Sequence, residues 1–211
     1  MWENLPDYIG DTADDALAVV DVSGSMTGLP MDVAVSVGLY LAERNKGLYH
    51  NHFLTFSMEP QLVEITGSTF CERVRNIQTA EWGYNTDIFK VFQLVLQTAI
   101  DNQLPQEQMI KKLFIISDME FDQADASADT ALFNQIRELY RQHGYDLPHL
   151  VFWNVDARNT QFPMTKNDAG VQLVSGCSPT LFTHLMKGEH VSAFDLMLEV
   201  LNSPRYEAVH L

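Results

Sequence analysis

The sequence predicts an α/β fold in which a doubly wound, mostly parallel six-stranded sheet carries helices on both faces. Short apolar segments alternate along the chain with longer amphipathic segments. Two of the short segments, at 16–20 and 113–116, are apolar without interruption, as strands of a parallel sheet are when both faces are covered. A third segment, 51–65, has the pattern of a β-hairpin. This hairpin would place one antiparallel edge strand on the otherwise parallel sheet.

Six segments have the composition of strands, because each is short and rich in Val, Ile, Phe or Leu. They span residues 15–21, 51–57, 61–65, 112–117, 148–154 and 170–174. No internal repeat, low-complexity tract or linker-like composition divides the sequence. We therefore expect one domain at 15–203, with an N-terminal extension at 1–14 and a C-terminal tail at 204–211.

Five helices are predicted from apolar residues at helical spacing. The first begins at Pro30, which suits a first turn, and ends near Asn45. Its residues Val33, Val37 and Leu41 share one face, which should pack on the sheet. The other helices cover about 69–76, 86 to the stop at 104–105, 129–142 and 191–201.

The charge balance excludes one class of partner. The 211 residues include 13 Lys and Arg against 28 Asp and Glu, giving a net charge of −15. This charge repels phosphate backbones at long range, so direct nucleic-acid binding is not expected. A chain of this length buries about 70% of the surface that its unfolded form exposes, so it needs no disulfides.

Cysteine usage and the N-terminus favour a cytoplasmic protein. Cys71 and Cys177 lie far apart without metal or redox spacing, so both are expected to be reduced, buried thiols. The first residues lack the basic and apolar regions of a signal peptide, and no apolar run has membrane-spanning length. We therefore expect no membrane contact.

A candidate metal-binding motif follows the first predicted strand. The apolar run ends in Asp21, which is followed by Ser23 and Ser25 at alternate positions. These side chains offer only oxygen, which suits Mg²⁺ and Mn²⁺ rather than zinc. Ligands of open α/β sheets bind at the carboxyl ends of such strands, so the position fits the chemistry.

Two further loops could complete the set of ligands. Asn85-Thr86-Asp87 opens an amphipathic segment, and Ser117-Asp118 closes the apolar run at 113–116. Each has a simpler interpretation. Residues such as Asn85, Thr86 and Asp87 often cap a helix, and an Asp after a strand is often a turn residue.

Together the three loops resemble the metal-ion-dependent adhesion site of von Willebrand factor type A domains, whose pattern is Asp-x-Ser-x-Ser, a distant Thr and a distant Asp. By this resemblance Ser23, Ser25 and Thr86 supply hydroxyl ligands, while Asp21 and Asp118 bind the ion directly or through water. The resemblance also implies the strand order 3-2-1-4-5-6. In that order Asp21 and Asp118 follow neighbouring strands.

Longer segments between about 15 and 200 resemble an uncharacterised family of plants, fungi, microbes and large viruses. They are Gly-Ser-Met-x-Gly-x-Pro at 24–30, Thr-Phe-Ser at 55–57, Val-Phe-Trp-Asn at 151–154, and the segments 82–92, 109–122 and 173–178. Longer members carry, before the type A domain, a helical-repeat region similar to that of the Ro RNA-binding autoantigen. This sequence resembles only the type A part, so the RNA-binding likeness does not carry over.

The third loop departs from many type A domains, because Met119-Glu120 replaces the common glycine after Asp118. Glu120 adds a carboxylate near the ion. It is a possible accessory ligand, as is Asp87. These two acids could tune the charge of the site, although solvated turn residues are the simpler interpretation.

The expected ligand set leaves room at the ion. Mg²⁺ prefers six oxygens, so two carboxylates and three hydroxyls leave a position for water or an outside ligand; Mn²⁺ and Ca²⁺ are alternatives. By resemblance that ligand is an Asp or Glu side chain of a partner protein. We therefore expect a divalent-metal-dependent protein-binding module, not an enzyme.

Two other functions stay open. The ion could be a structural clip in an assembly, without ligand exchange. A Mg²⁺-dependent phosphohydrolase is the third, less favoured hypothesis. Such enzymes use an Asp-x-Asp pattern, whereas Ser23 stands at the second position here and cannot act as the carboxylate acid and base.

Overall fold

The computed structural model of the chain describes residues 15–80, 87–118, 130–156 and 170–176. It also describes ten single residues outside these ranges: Trp2, Leu5, Asp7, Phe182, Leu185, Met197, Leu198, Leu201, Asn202 and Tyr206. Two predicted site residues, Thr86 and Glu120, lie outside the described residues.

Six strands form one sheet in the order β3-β2-β1-β4-β5-β6. Only the β2–β3 pair is antiparallel among these strands, and the other four pairs are parallel. The fold class and the strand order implied by the type A resemblance are therefore confirmed. The strands are β1 (Ala16–Val20), β2 (His52–Thr55), β3 (Leu62–Glu64), β4 (Lys112–Ser117), β5 (His149–Asn154) and β6 (Val171–Ser175).

Four helices lie close to their predicted positions. They are α1 (Leu29–Arg44), α2 (Phe70–Gln78), α3 (Ile88–Asp101) and α4 (Thr130–Gln142). Of the fifth predicted helix, at 191–201, the structure describes only residues 197, 198 and 201, which are helical. The start of α2 is fixed by a capping box, in which Thr69 and Glu72 each bond the other's backbone N–H.

Helices cover both faces of the sheet because successive strand residues point to opposite sides. On one face Ala18, Val20 and Ile116 pack in the same cluster as α1 and Ile77 of α2. On the other face Leu17, Val19 and Ile115 pack with α3 and α4. The predicted helices on both faces are therefore confirmed.

The buried face of α1 is wider than the predicted one. Leu41 is buried as predicted, while Val33 and Val37 are partly buried and pack against the same cluster. The helix is apolar around most of its circumference, so periodicity does not mark one face. The buried residues are Ala34, Val35, Gly38, Leu39, Tyr40, Leu41 and Ala42.

One close approach fixes α1 on β1. A Cβ added at Gly38 would collide with Cγ2 of Val20, the residue that precedes Asp21. Glycine at position 38 therefore lets the helix backbone lie against the strand that leads into the candidate metal site.

Trp2, near the start of the sequence, contacts α1 and α2. Its Nε1 donates to Oε2 of Glu43 at 2.8 Å, and its ring centroid lies 4.8 Å from that of Phe70. The Trp2 ring also meets Tyr40 edge-on at 6.4 Å, while Glu43 forms an ion pair with Arg73 at 3.1 Å. These contacts attach the start of the chain to the end of α1 and the start of α2.

Cys71 is an exposed free thiol on α2. The prediction that it is buried was wrong, because position 71 lies on the solvent side of this helix. Cys177 lies outside the described residues. Among the helices in the described part of the chain, none has the length and apolar character of a membrane span.

Candidate metal centre at the carboxyl ends of β1 and β4

The sheet brings Asp21 and Asp118 together although about a hundred residues separate them. In the parallel β1–β4 pair, Val20 lies opposite Ile116, so Asp21 lies level with Ser117. The backbone N–H of Asp21 donates to the carbonyl of Ile116 at 3.1 Å and extends the ladder past β1. Both acids are buried, with exposed fractions of 2% for Asp21 and 5% for Asp118.

Both carboxylate oxygens of Asp21 accept hydrogen bonds. Oδ1 accepts from the backbone N–H of Ser23 at 2.8 Å, and Oδ2 accepts from the hydroxyl of Ser117 at 2.6 Å. One bond comes from the loop after β1 and the other from the last residue of β4. The orientation of this carboxylate is therefore fixed from two sides.

The local electrostatics favour a cation. Burial raises the pKa of the Asp21 carboxyl above its ordinary value, and the hydrogen bonds from Ser117 and Ser23 only partly offset this. The charge of Asp118 raises the pKa further. The ionised form of Asp21 is thus costly unless a positive charge neutralises it.

The two serines of the motif lie on the outer side of Asp21. Their hydroxyl oxygens are 3.0 Å apart, since Ser23 immediately precedes the short 3₁₀ turn Gly24–Met26 that contains Ser25. Met26 is fully buried and anchors this turn. Ser23 is half-buried and Ser25 is exposed. The candidate centre therefore extends from the buried carboxylate of Asp21 to the hydroxyl of Ser25 at the surface.

Asp87 lies at the start of α3 and acts as its N-cap. Its carboxylate accepts from the backbone N–H of Lys90 at 3.2 Å. The helix-capping interpretation therefore applies to Asp87 itself. The ligand roles of Thr86 and Glu120 stay predictions, because both residues lie outside the described ranges.

Sequence reasoning missed the role of Ser117. Its hydroxyl is 2.6 Å from Asp21 Oδ2 and 3.5 Å from Asp118 Oδ1, and the residue is 1% exposed. Ser117 therefore donates its proton to Asp21 while lying next to the Asp118 carboxylate. The available signal was a hydroxyl that ends an otherwise apolar strand immediately before a candidate ligand.

The residues present fit a hard divalent cation. Two carboxylates and two hydroxyls lie in the two loops that follow β1 and β4, and oxygen is what Mg²⁺, Mn²⁺ and Ca²⁺ prefer. Within the described ranges, no group of three or more His, Cys, Asp or Glu side chains could hold a metal. A metal at this centre would therefore depend on the hydroxyls of Ser23 and Ser25 as well as the two acids.

One curated relative is a viral protein. The chain is 38% identical over 204 residues to a protein named "Uncharacterized protein L728" from Acanthamoeba polyphaga mimivirus. The match covers 95% of this chain and 36% of the viral protein, so the chain spans about a third of its relative's length.

Two solved structures are similar in fold. The RO (RSR) protein of Deinococcus radiodurans matches with a TM-score of 0.55 and 16% identity, over 89% of this chain and 36% of that chain. At this identity the likeness shows the fold alone. The SpRpn10 VWA domain matches with a TM-score of 0.46 and 12% identity, over 85% of this chain and 99% of that chain.

A match to a family of sequences covers almost the whole chain. Residues 15–204 match the family described as a domain of unknown function, DUF7788. This range contains the six strands and four helices found in the described residues, and every residue of the candidate centre. The chain belongs to the DUF7788 family.

Proposed function

We propose that this chain is a divalent-metal-dependent protein-binding module. An ion held by Asp21, Ser23, Ser25 and Asp118 would coordinate an acidic side chain of a partner protein. The observation that carries the proposal is the fixed, buried carboxylate of Asp21, which lies beside a second acid and beneath hydroxyls that reach solvent. Thr86 would add a third hydroxyl from the loop before α3.

The donor set favours ligand exchange at the ion. Hydroxyls are neutral ligands, so they leave more of the cation's charge available than an all-carboxylate cage would. Mg²⁺ keeps some water when it binds protein, and such a water can be replaced by an outside oxygen. By the resemblance to the type A adhesion site, that oxygen belongs to an Asp or Glu side chain of the partner.

The partner would meet a chain of net charge −15. An acidic partner is repelled at long range unless salt screens the charges or basic residues surround its acidic group. We therefore propose that binding strengthens as salt is raised from low ionic strength, unless the partner carries a basic rim. The same charge argues against direct nucleic-acid binding.

We propose no catalytic role for this centre. Ser23 stands where a phosphohydrolase of the Asp-x-Asp kind carries its acid and base, and a serine hydroxyl does not supply that proton transfer. A structural ion is the remaining alternative. It is favoured by the longer viral relative, since the chain matches only 36% of that protein and an ion could stabilise contacts within a larger assembly.

The first experiment measures the metal alone. Calorimetry with Mg²⁺ and Mn²⁺ compares the wild type with Ser23→Ala, and Ser36→Ala on α1 is the matched control. We expect binding to the wild type and the control, and clearly weaker binding to Ser23→Ala. Absence of metal binding to the wild type would overturn the proposal.

The second experiment separates a binding module from a structural ion. Displayed random peptides are selected on the immobilised chain in Mg²⁺ and eluted with EDTA. A binding module predicts enrichment of peptides that contain Asp or Glu. A structural ion predicts that Mg²⁺ raises the unfolding temperature while no peptide depends on it.

A further inference from the structure

Two exposed apolar side chains lie at the same end of the sheet as the candidate metal centre. Among the described residues, Leu29 and Met58 are the most exposed large apolar side chains, at 64% and 58%. Isolated apolar residues are common on protein surfaces. Their shared position is what makes this pair informative.

Both residues lie at the carboxyl edge of the sheet. Leu29 is the first residue of α1, directly after the loop that carries Ser23 and Ser25. Met58 lies in the β2–β3 turn, three residues after Thr55. Thr55 pairs with Val20 in the parallel β1–β2 register, so the β2–β3 turn leaves the sheet at the same edge as Asp21.

The turn that carries Met58 is held by several bonds. The Ser57 hydroxyl donates to the carbonyl of Glu59 at 2.7 Å, and Lys90 Nζ donates to the carbonyl of Met58 at 3.1 Å. Lys90 also pairs with the Glu59 carboxylate. Since Lys90 lies in the first turn of α3, it ties the β2–β3 turn to the helix that Asp87 caps. The backbone of Met58 is fixed while its side chain faces solvent.

Leu29 is also presented by an ordered segment. Met26 is buried beneath the loop, and the N–H of Asp32 donates to the carbonyl of Gly28 at 3.1 Å, which starts α1. Gly28 has a φ of +98°, a conformation that other residues rarely adopt. The backbone therefore turns sharply here and Leu29 points into solvent at the first turn of the helix.

The negative net charge of the chain explains why apolar contacts would help an acidic ligand to bind. Long-range electrostatics oppose the approach of an acidic ligand to a chain of net charge −15. The ion attracts such a ligand only at short range. Burial of apolar surface also acts at short range and does not depend on charge. It can therefore offset the loss of affinity that long-range repulsion causes.

We infer that Leu29 and Met58 form an apolar rim of the metal centre, and that the partner is a protein segment whose acidic residue is flanked by apolar side chains. This inference rests on the proposed function, because the acidic residue is the ion's ligand. Covering the exposed part of either rim side chain contributes roughly ten-fold in affinity.

The test is a peptide selection followed by affinity measurements. A displayed library with a fixed Asp and randomised positions on both sides is selected in Mg²⁺ and eluted with EDTA. The expected result is enrichment of Leu, Ile, Phe or Met next to the Asp. A selected peptide is then measured against Leu29→Ser and Met58→Ser, with Leu201→Ser as the control, since Leu201 is 52% exposed in the C-terminal part of the chain.

Each rim variant is expected to bind the peptide roughly ten-fold more weakly, with Mg²⁺ affinity unchanged, while the control binds as the wild type. Mg²⁺-dependent peptides without apolar neighbours of the Asp, or rim variants with wild-type affinity, would overturn the apolar rim and leave the proposed function standing. A selection without any Mg²⁺-dependent peptide would overturn both.

Discussion

Replacing Asp21 by asparagine keeps the shape of the side chain and removes its charge. The carboxylate is 2% exposed and its pKa is raised, chiefly by burial and further by Asp118. Without metal, the ionised form therefore costs stability at neutral pH. The asparagine oxygen can accept from the N–H of Ser23, and its amide can donate to the Ser117 hydroxyl. We expect metal-free Asp21→Asn to be at least as stable as the wild type.

Asp21→Ala is the informative comparison because it removes both acceptors. The Ser117 hydroxyl is 1% exposed and would lose its partner at 2.6 Å, which costs about 1–3 kcal/mol. Ser23 is half-buried, so water can replace the acceptor that its N–H loses. For a domain of this size, each kcal/mol corresponds to about 2–4 °C in Tm. The expected metal-free order is Asn variant at or above wild type, and Ala variant lowest.

Mg²⁺ should place the wild type above both variants in stability. At about a hundred times its Kd, the ion stabilises the wild type by about 2.7 kcal/mol, whereas neither variant gains as much. The assay is denaturant unfolding at neutral pH, in EDTA and in Mg²⁺. An Asn variant that is clearly less stable than the wild type in EDTA would refute the electrostatic reasoning. An Asn variant with full Mg²⁺ stabilisation would refute Asp21 as a ligand.

Three further predictions concern the same region. Ser117→Ala should weaken Mg²⁺ binding about 10–100-fold in calorimetry, and Ser117→Thr, which keeps the donor, should restore most of it; equal affinities would exclude a positioning role. Because the pKa of Asp21 is raised in the folded state, the folded chain binds this proton more tightly than the unfolded chain, whose value is near 3.8. The free energy of unfolding of the metal-free wild type should therefore fall, relative to that of Asp21→Asn, as pH rises above about 4. Denaturant unfolding at several pH values measures this, and the same pH dependence for both proteins would contradict it. Gly38→Ala should cost about 1–3 kcal/mol because its Cβ would collide with Val20, whereas Ser36→Ala on the same helix should cost much less; equal denaturant midpoints would contradict the close packing.

Local patterns were enough to predict the elements of the fold. The apolar runs that became β1 and β4 needed no tertiary information, because a strand covered on both faces is apolar throughout. The strand order is different. It depends on which strands pair across long separations, and it was implied only by the resemblance of the Asp21, Thr86 and Asp118 loops to a known pattern.

The residues that sequence reasoning missed depend on register and exposure. Ser117 meets Asp21 only because Val20 pairs with Ile116, a match between strands that neither segment encodes alone. The backbone of the exposed Met58 is held by Lys90, thirty-two positions away. The buried face of α1 was predicted too narrow because nearly every side of that helix is apolar. Each of these features is set by tertiary contacts.

The anchoring of Trp2 determines where attachments to the chain can be placed. α1 starts at the edge of the sheet that carries the candidate centre, and Glu43, which holds Trp2, lies near the opposite end of that helix, about 20 Å away. A tag or surface linker joined to the N-terminus is thus held remote from Ser25. Immobilising the protein by that end would leave the hydroxyls of Ser23 and Ser25 facing the solution, which is the orientation that sensor-based ligand measurements require.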